Sequence, residues 1–439
     1  MNVILVTIMV FIGVVIVMLA GLPIAFSLGG LALIFSIFLW GPEALFLSVT
    51  ATLGTMDSFL LTAVPLFIFM GYILESSRIG DDLYRMMHVW MGSVRGGLAI
   101  GTVFICTIFA AMAGISGAST VTMGVVALPA MLKRRYQKEI ALGCIGAGGA
   151  LGILIPPSIP MVLYASVAGV SVGKMLLGGF FPGFLLSSLF IAYIAIRCAI
   201  QKELGPPLPA SERAGWLVKI SSLKAVIFPI IIILCVLGSI YTGAATPTEA
   251  AALGCVSTML AAGINRRLTW ENLKYAVYNA LRTSGMVLWI VVGASAFASM
   301  YSASGGSRFV TQTLTAAPVD RYVIIVCMQL IIMFLGCLMD PGGIILLCTP
   351  IFLPVITALG FDPIWFGVIF TVNLEMAYLT PPLGYNLFYL KGVAPPGIAM
   401  ADIIRSVLPF LGLQALGLVL VMVFPEIAMW LPNKMLVAG

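Results

Sequence analysis

The sequence predicts an all-α polytopic membrane protein, an inverted repeat with two re-entrant helical hairpins and two broken helices. Three observations predict it. Of 439 residues, 61% are hydrophobic and 9% charged, against about 25% charge in soluble domains. Lipid must therefore solvate much of the chain. Lys and Arg gather in alternate loops. Two Pro-Pro pairs, Pro156-Pro157 and Pro381-Pro382, interrupt long apolar segments at corresponding places in two halves.

The first observation also excludes a cytosolic enzyme, a disordered chain and a nucleic-acid binder. A net charge of +6 needs no acidic partner, because membrane proteins accumulate Lys and Arg on the cytoplasmic side. The 8 Cys are scattered without a Cys-x-x-Cys pair, and His88 is the single His. That argues against zinc, iron–sulfur clusters, a disulfide framework and an intramembrane enzyme. Residues 2–20 lack a basic leader and continue through Gly21-Leu22-Pro23 into more apolar chain. They read as a retained membrane helix rather than a removable signal.

A spanning helix needs about 20 apolar residues. Segments 2–20, 22–40, 59–75, 140–169, 175–196, 225–243, 247–264, 283–303, 364–390 and 406–425 qualify. Two longer stretches, 98–132 and 322–358, are each interrupted near the middle. Arg78, Arg85 and Arg95 precede the first, and Lys133, Arg134, Arg135 and Lys138 follow it. Both its flanks are then cytoplasmic. The segment enters and leaves on one side, as a re-entrant hairpin or as two very short spans. The tip sequence Ala113-Gly114-Ile115-Ser116-Gly117-Ala118-Ser119-Thr120 favours a hairpin, since broken backbone at membrane depth needs protein or a watery cavity beside it. Carried through, this places 76–97, 133–139, 197–224, 265–282 and 391–405 inside. These loops hold 18 of the 22 Lys and Arg (three, four, five, four and two). Stretch 322–358 becomes a second hairpin from the opposite face, with its tip near Met339-Asp340-Pro341-Gly342-Gly343, and both termini lie outside.

The second half repeats the punctuation of the first. Tip residue Ser116 precedes Pro156 by 40 residues, and Asp340 precedes Pro381 by 41. Paired spans, 2–40 and 225–264, come before each hairpin, followed by amphipathic segments 43–57 and 269–282. The polar, Pro-rich stretch 201–222 joins the halves. Opposite hairpin entry makes the repeat inverted, the mark of secondary transporters with a site near the bilayer midplane.

Pro cannot donate its N–H, and its ring displaces the preceding turn. A Pro-Pro pair therefore either kinks a helix for packing or exposes carbonyls mid-membrane. Exposed carbonyls favour a cation, and free N–H groups at a half-helix N-terminus favour an anion. Each break with its tip would form a cage of carbonyl and hydroxyl oxygens that suits Na⁺. Asp340 either joins such a site or caps the helix beginning at Pro341. Glu375 lies near the second break and either functions or pairs with another helix. Glu249, in Thr246-Pro247-Thr248-Glu249, reads as a capping box, and His88 as a solvated or interfacial loop residue. Tyr385 and Asn386 follow the second break, where they could bond a substrate, and Tyr164 mirrors them after the first.

With these motifs in view, the chain resembles the large membrane subunit of tripartite ATP-independent periplasmic transporters, the DctM-like family. The matching pieces are Pro65-Leu66-Phe67-Ile68-Phe69-Met70-Gly71, Ile115-Ser116-Gly117-Ala118-Ser119, Leu151-Gly152-Ile153-Leu154-Ile155-Pro156-Pro157-Ser158 and Phe181-Pro182-Gly183. They continue with Thr246-Pro247-Thr248-Glu249-Ala250-Ala251, Thr349-Pro350-Ile351-Phe352-Leu353-Pro354 and Thr380-Pro381-Pro382-Leu383-Gly384-Tyr385-Asn386-Leu387-Phe388. The ordered set, spread from about residue 60 to 410, is far more specific than any one piece.

The resemblance implies an elevator-type, Na⁺-driven importer of a small organic acid in the bacterial inner membrane. It implies a small membrane subunit on a separate chain and a periplasmic binding protein that delivers substrate. Two sodium sites would lie where each hairpin meets its broken helix. One would use Ser116, Ser119, Gly152 and Ser158. The other would use Gly336, Asp340, Ala377, Thr380 and Leu383, several through backbone oxygen. Ala118 stands where the family tip usually carries a second Ser. Substrate would bind between Ser116, Ser158, Thr380 and Asn386. The implied division is scaffold and arm (1–97), transport half one (98–196), cytoplasmic linker (197–224), scaffold and arm (225–321), transport half two (322–425) and tail (426–439). The main rival is a sodium-coupled elevator carrier that works without a binding protein.

Overall fold

A computed structural model describes residues 2–435. Among them the regular structure is entirely helical, and 7 helices are long and apolar enough to cross a membrane. The polytopic all-α expectation holds.

The chain opens with helices Val3–Leu19 and Ile24–Trp40. They are joined by a tight turn in which Gly21 takes a positive φ of 82°. Next come Leu45–Met56, Ala63–Ser76 and the amphipathic Ile79–Met91. In the second half the expected amphipathic segment 269–282 and span 283–303 are one helix, Trp270–Ala303, of 34 residues. No Pro or helix-ending Gly separates the two patterns, so the helix runs on. Helices 24–40, 45–56 and 63–76 pack along it, and Pro247–Ile264 packs on 63–76. Thr246 and Glu249 form the expected capping box: Thr246 Oγ1 accepts from Glu249 N at 3.3 Å, and Glu249 Oε2 accepts from Thr246 N at 2.8 Å.

Each long interrupted stretch is a pair of helices. The first pair is Gly97–Ala113 and Ser116–Lys133. The second is Arg321–Gly336 and Pro341–Ala358. Each Pro-Pro stretch breaks a helix in two. Lys138–Ala150 is followed by an irregular turn and then Ile159–Ala168. Pro363–Ala377 is followed by a turn and Tyr385–Val393. Both Pro-Pro peptide bonds are cis.

The repeat register is sharper than the motif spacing indicated. Ser116 corresponds to Pro341, Lys133 to Ala358 and Lys138 to Pro363, a constant step of 225 residues. Asp340 therefore matches Ile115, one residue before Ser116. The broken segment of the first pair is also shorter than expected. Ser116 to Thr120 are helical rather than part of an open tip, and Ser119 Oγ and Thr120 Oγ1 donate back to Ser116 O at 2.9 and 3.1 Å. The turn itself is Gly114-Ile115.

The two repeats interlock. The leading half of each broken helix packs on its own hairpin. Each trailing half packs on the other repeat: Ile159–Ala168 on Pro341–Ala358, and Tyr385–Val393 on Ser116–Lys133. Helices Phe180–Ile200 and Met400–Val423 close the outside of this group.

Residues 201–215 do more than connect the halves. Gly96 N donates to Gly205 O at 2.9 Å, Leu208 N to Gly92 O at 2.7 Å and Gln137 N to Leu204 O at 3.0 Å. Leu204 and Leu208 are buried, so the segment straps the base of the first hairpin. Arg134 pairs with Glu212 at 2.5 Å, and that hydrogen bond holds the Glu212 carboxyl below its usual pKa. Nearby, burial first and then Arg134 push the His88 imidazole below its usual value.

Candidate functional site

The first tip is seated on the first break. Gly114 ends its helix at φ +65°, a conformation that suits Gly, and a methyl group there would lie 2.3 Å from Pro157 O. Gly152 lies directly against the tip, since a Cβ on it would approach Ser116 Cα to 2.9 Å. Ser119 Oγ, besides bonding Ser116 O, donates to Gly149 O at 3.3 Å. Ser158 Oγ donates to Ile153 O across the break and accepts from Met161 N at 3.3 Å, capping the trailing half. Ser116, Ser119, Gly152 and Ser158 thus form one buried group. Carbonyls Ser116 O and Gly149 O both lie within reach of the Ser119 hydroxyl. Neutral oxygens of this kind fit a hard monovalent cation.

Asn386 joins this first group although it belongs to the second repeat. Ser116 Oγ donates to Asn386 Oδ1 at 2.6 Å, and Asn386 Nδ2 donates to Gly146 O at 3.1 Å. Its backbone N–H crosses the second break to Tyr378 O at 3.1 Å. One fully buried residue therefore links the first tip, the helix leading to the first break and, through its backbone, the second break.

The second tip is built differently. Asp340 caps the helix starting at Pro341, its carboxylate accepting from Gly343 N at 3.1 Å. Gly336 faces Ala377 so closely that a Cβ on it would come 2.3 Å from Ala377 Cβ. Thr380 N donates to Ala377 O at 3.2 Å, and Thr380 Oγ1 to Met376 O at 2.8 Å. Leu383 is half-buried in the turn that leads to Gly384. Gly336, Ala377 and Thr380 are therefore contiguous, while Asp340 faces the cavity described next.

A cavity of about 190 Å³ lies where everything meets. Gly114 to Gly117 of one tip and Asp340 to Gly342 of the other line it, with Ile153 and Ile159 from the first break and Tyr378 and Tyr385 from the second. Ile68, Thr283 and Ile290 also line it. Among the described residues lining it, Asp340 alone carries a charge. The other end of the chemistry is the N-terminus of Ser116–Lys133. Its N-cap is Ile115, which offers no side-chain hydrogen bond, so no side chain caps the first-turn N–H groups.

Of the four substrate candidates, Ser116 lines the cavity directly and Asn386 acts on it through Ser116. Ser158 and Thr380 sit behind, in the breaks. Tyr164 does not reach the cavity, for its hydroxyl donates to Pro363 O at 2.7 Å and braces the second broken helix. Glu375 is fully buried, its Oε1 accepting from Gln414 Nε2 at 3.2 Å. Tyr378, Tyr389 and Thr283 were not singled out by sequence. Tyr389 packs its ring over Gly117, and Thr283 pairs with Tyr72 OH at 2.9 Å. Tyr389 and Thr283 meet residues of the first repeat, Gly117 and Tyr72, and no local pattern marks those contacts.

A family profile described as "Tripartite ATP-independent periplasmic transporter, DctM component" matches residues 11–427. A Vibrio cholerae protein named C4-dicarboxylate TRAP transporter large permease protein DctM is 32% identical, over 98% of each chain. The Vibrio cholerae sialic acid TRAP transporter large permease protein SiaM is 29% identical, over 96% of this chain and 97% of that one. In fold, the crystal structure of the Alcanivorax borkumensis YdaH transporter superposes with a TM-score of 0.67, covering 97% of this chain and 100% of that one at 13% identity.

Proposed function

The chain belongs to the DctM family of tripartite ATP-independent periplasmic transporters, and from that premise we propose that it is a large permease subunit importing a small organic acid with Na⁺. It is a transporter rather than an enzyme. The substrate is a C4-dicarboxylate, a sugar acid or a similar carboxylate, and the compartment is the bacterial inner membrane with both termini periplasmic. A small membrane subunit and a periplasmic binding protein are its partners.

The observation that carries the reading is the cavity shared by both tips and both breaks. Its first tip offers uncapped N–H groups to an anion, and its second contributes the carboxylate of Asp340. A substrate carboxylate entering beside Asp340 needs positive charge close by, and Na⁺ at the two tip–break junctions supplies it. Residues Ser116, Ser119, Gly152 and Ser158 hold one ion, and Gly336, Asp340, Ala377, Thr380 and Leu383 the other. Because the same backbone shapes ion and substrate sites, each ligand favours the state the other needs. The hairpins re-enter from opposite faces. They and the broken helices (98–196 and 322–425) move as an elevator against the scaffold helices.

Reconstitution in liposomes with the small subunit and binding protein tests this directly. Uptake of labelled C4-dicarboxylates or sugar acids should require an inward Na⁺ gradient and all three components. Uptake without the binding protein would support the stand-alone carrier instead, and uptake indifferent to Na⁺ would refute the coupling.

A further inference from the structure

We propose that a pocket between helix Ile79–Met91 and the helix beginning at Lys224 binds a membrane phospholipid headgroup, with the phosphate held by Arg85 and Lys224. The pocket encloses about 400 Å³. Arg85 and Lys224 reach it from separate elements, with the Ser221 hydroxyl beside them and Asp82 on the rim. Both cations are exposed. The single ion pair among the described residues is Arg134–Glu212, so neither cation is neutralised by the protein. Two unpaired positive charges facing one concavity call for an anion. Asp82, three residues before Arg85 on the same helix, adds one negative charge to the lining, so a headgroup that carries an ammonium as well as a phosphate complements all three.

The surroundings place this pocket at headgroup depth. Helix Trp216–Ser222 leads into it and leaves Trp216, Leu217 and Ile220 exposed, 71%, 86% and 59%. Apolar side chains uncovered beside Lys and Trp mark an element lying in the membrane interface. Trp90 and Trp216 meet edge to face at 6.2 Å. The Trp90 indole donates to Lys219 O at 3.1 Å and to Ser222 Oγ at 3.2 Å, which fixes the pocket wall. Its floor includes Met86 and Phe228. A free phosphate would leave that floor bare, whereas a glycerophospholipid lays its glycerol and first methylenes on it. Basic pockets between helices on the cytoplasmic side suit such headgroups.

The location gives the lipid a task. Helix Ile79–Met91 joins Ala63–Ser76 to the first hairpin, and it packs on Lys224–Ile233. A bound headgroup bridges those two elements and braces the connector at its base.

The test uses the full-length protein, delipidated in detergent and followed by thermal unfolding. Short-chain phosphatidylethanolamine should raise Tm by several degrees, phosphatidylglycerol less, and inorganic phosphate negligibly. Arg85→Gln with Lys224→Gln should weaken the lipid response about tenfold, Lys224→Arg should retain it, and Asp82→Asn should erase the preference for the amine headgroup. An unchanged response in the double variant, an equal shift from inorganic phosphate, or an unaltered headgroup preference in Asp82→Asn would overturn the proposal.

Discussion

The two tips occupy equivalent places in the repeat and are chemically opposite. At the first, the N-cap is apolar Ile115, and serine and threonine hydroxyls knit the returning helix to its own backbone and to the first break. At the second, the N-cap is Asp340, which satisfies its helix with a carboxylate. A duplicated scaffold has therefore diverged at the N-cap of the returning helix, Ile115 against Asp340. One helix end has no side-chain cap and the other is capped by a carboxyl group. The repeat provides the cavity, and the departure from symmetry provides its polarity.

The largest effect should come from the turn that only the first tip has. Gly114→Ala puts a side chain at positive φ and a methyl group 2.3 Å from Pro157 O. Uptake should fall about tenfold or more, since left-handed backbone alone costs about 1–2 kcal/mol. The equivalent position in the second tip is Met339, which is not left-handed, so Met339→Gly should not reproduce that defect. Next comes the strut that crosses the repeats. Asn386→Ala leaves Ser116 Oγ and Gly146 O without their partner, at about 1–3 kcal/mol per buried group. Substrate KM should rise about tenfold. The matching residue in the first repeat is Met161, so no mirror-image contact can compensate.

Asp340→Asn sharpens the contrast, because Asn caps as well as Asp does. The sodium concentration for half-maximal uptake should rise several-fold while folding stability stays within about 1 kcal/mol of wild type. An unchanged sodium dependence would reduce Asp340 to a cap. Thr380→Ala should raise the sodium requirement more modestly, because it removes one neutral oxygen and no carboxylate; donating to Met376 O leaves that oxygen's lone pairs free. The smallest effect lies outside the membrane. His88 titrates below its ordinary value, so the unfolded chain binds the proton first as pH falls. Stability should drop slightly from pH 6.5 downward, and His88→Gln should remove that part of the Tm-against-pH slope.

The sequence exposed whatever depends on punctuation or on local hydrogen bonding. Both Pro-Pro breaks, both helix pairs and the Thr246–Glu249 capping box were readable because each is set by a few adjacent residues. Asp340 was readable as a choice between cap and ion site; the structure shows the cap, and the ion role rests on the Asp340→Asn titration. The first tip was drawn too long, 113–120 around a turn at Gly114-Ile115, since Gly, Ser and Thr near a tip look like open chain although Ser116 to Thr120 are helical. The Ser116–Asn386 bond joins residues 270 apart and depends on each trailing half-helix packing on the other repeat. No window of sequence carries that. The strapping of residues 201–215 onto the first hairpin was missed likewise, because backbone hydrogen bonds leave no side-chain signature.

Sodium binding to the purified complex, titrated with and without substrate, bears most directly on a cavity shared by both ligands. Substrate should tighten sodium binding several-fold, sodium should tighten substrate by the same factor, and Asn386→Ala and Asp340→Asn should each weaken that linkage. Identical sodium affinity with and without substrate would contradict it.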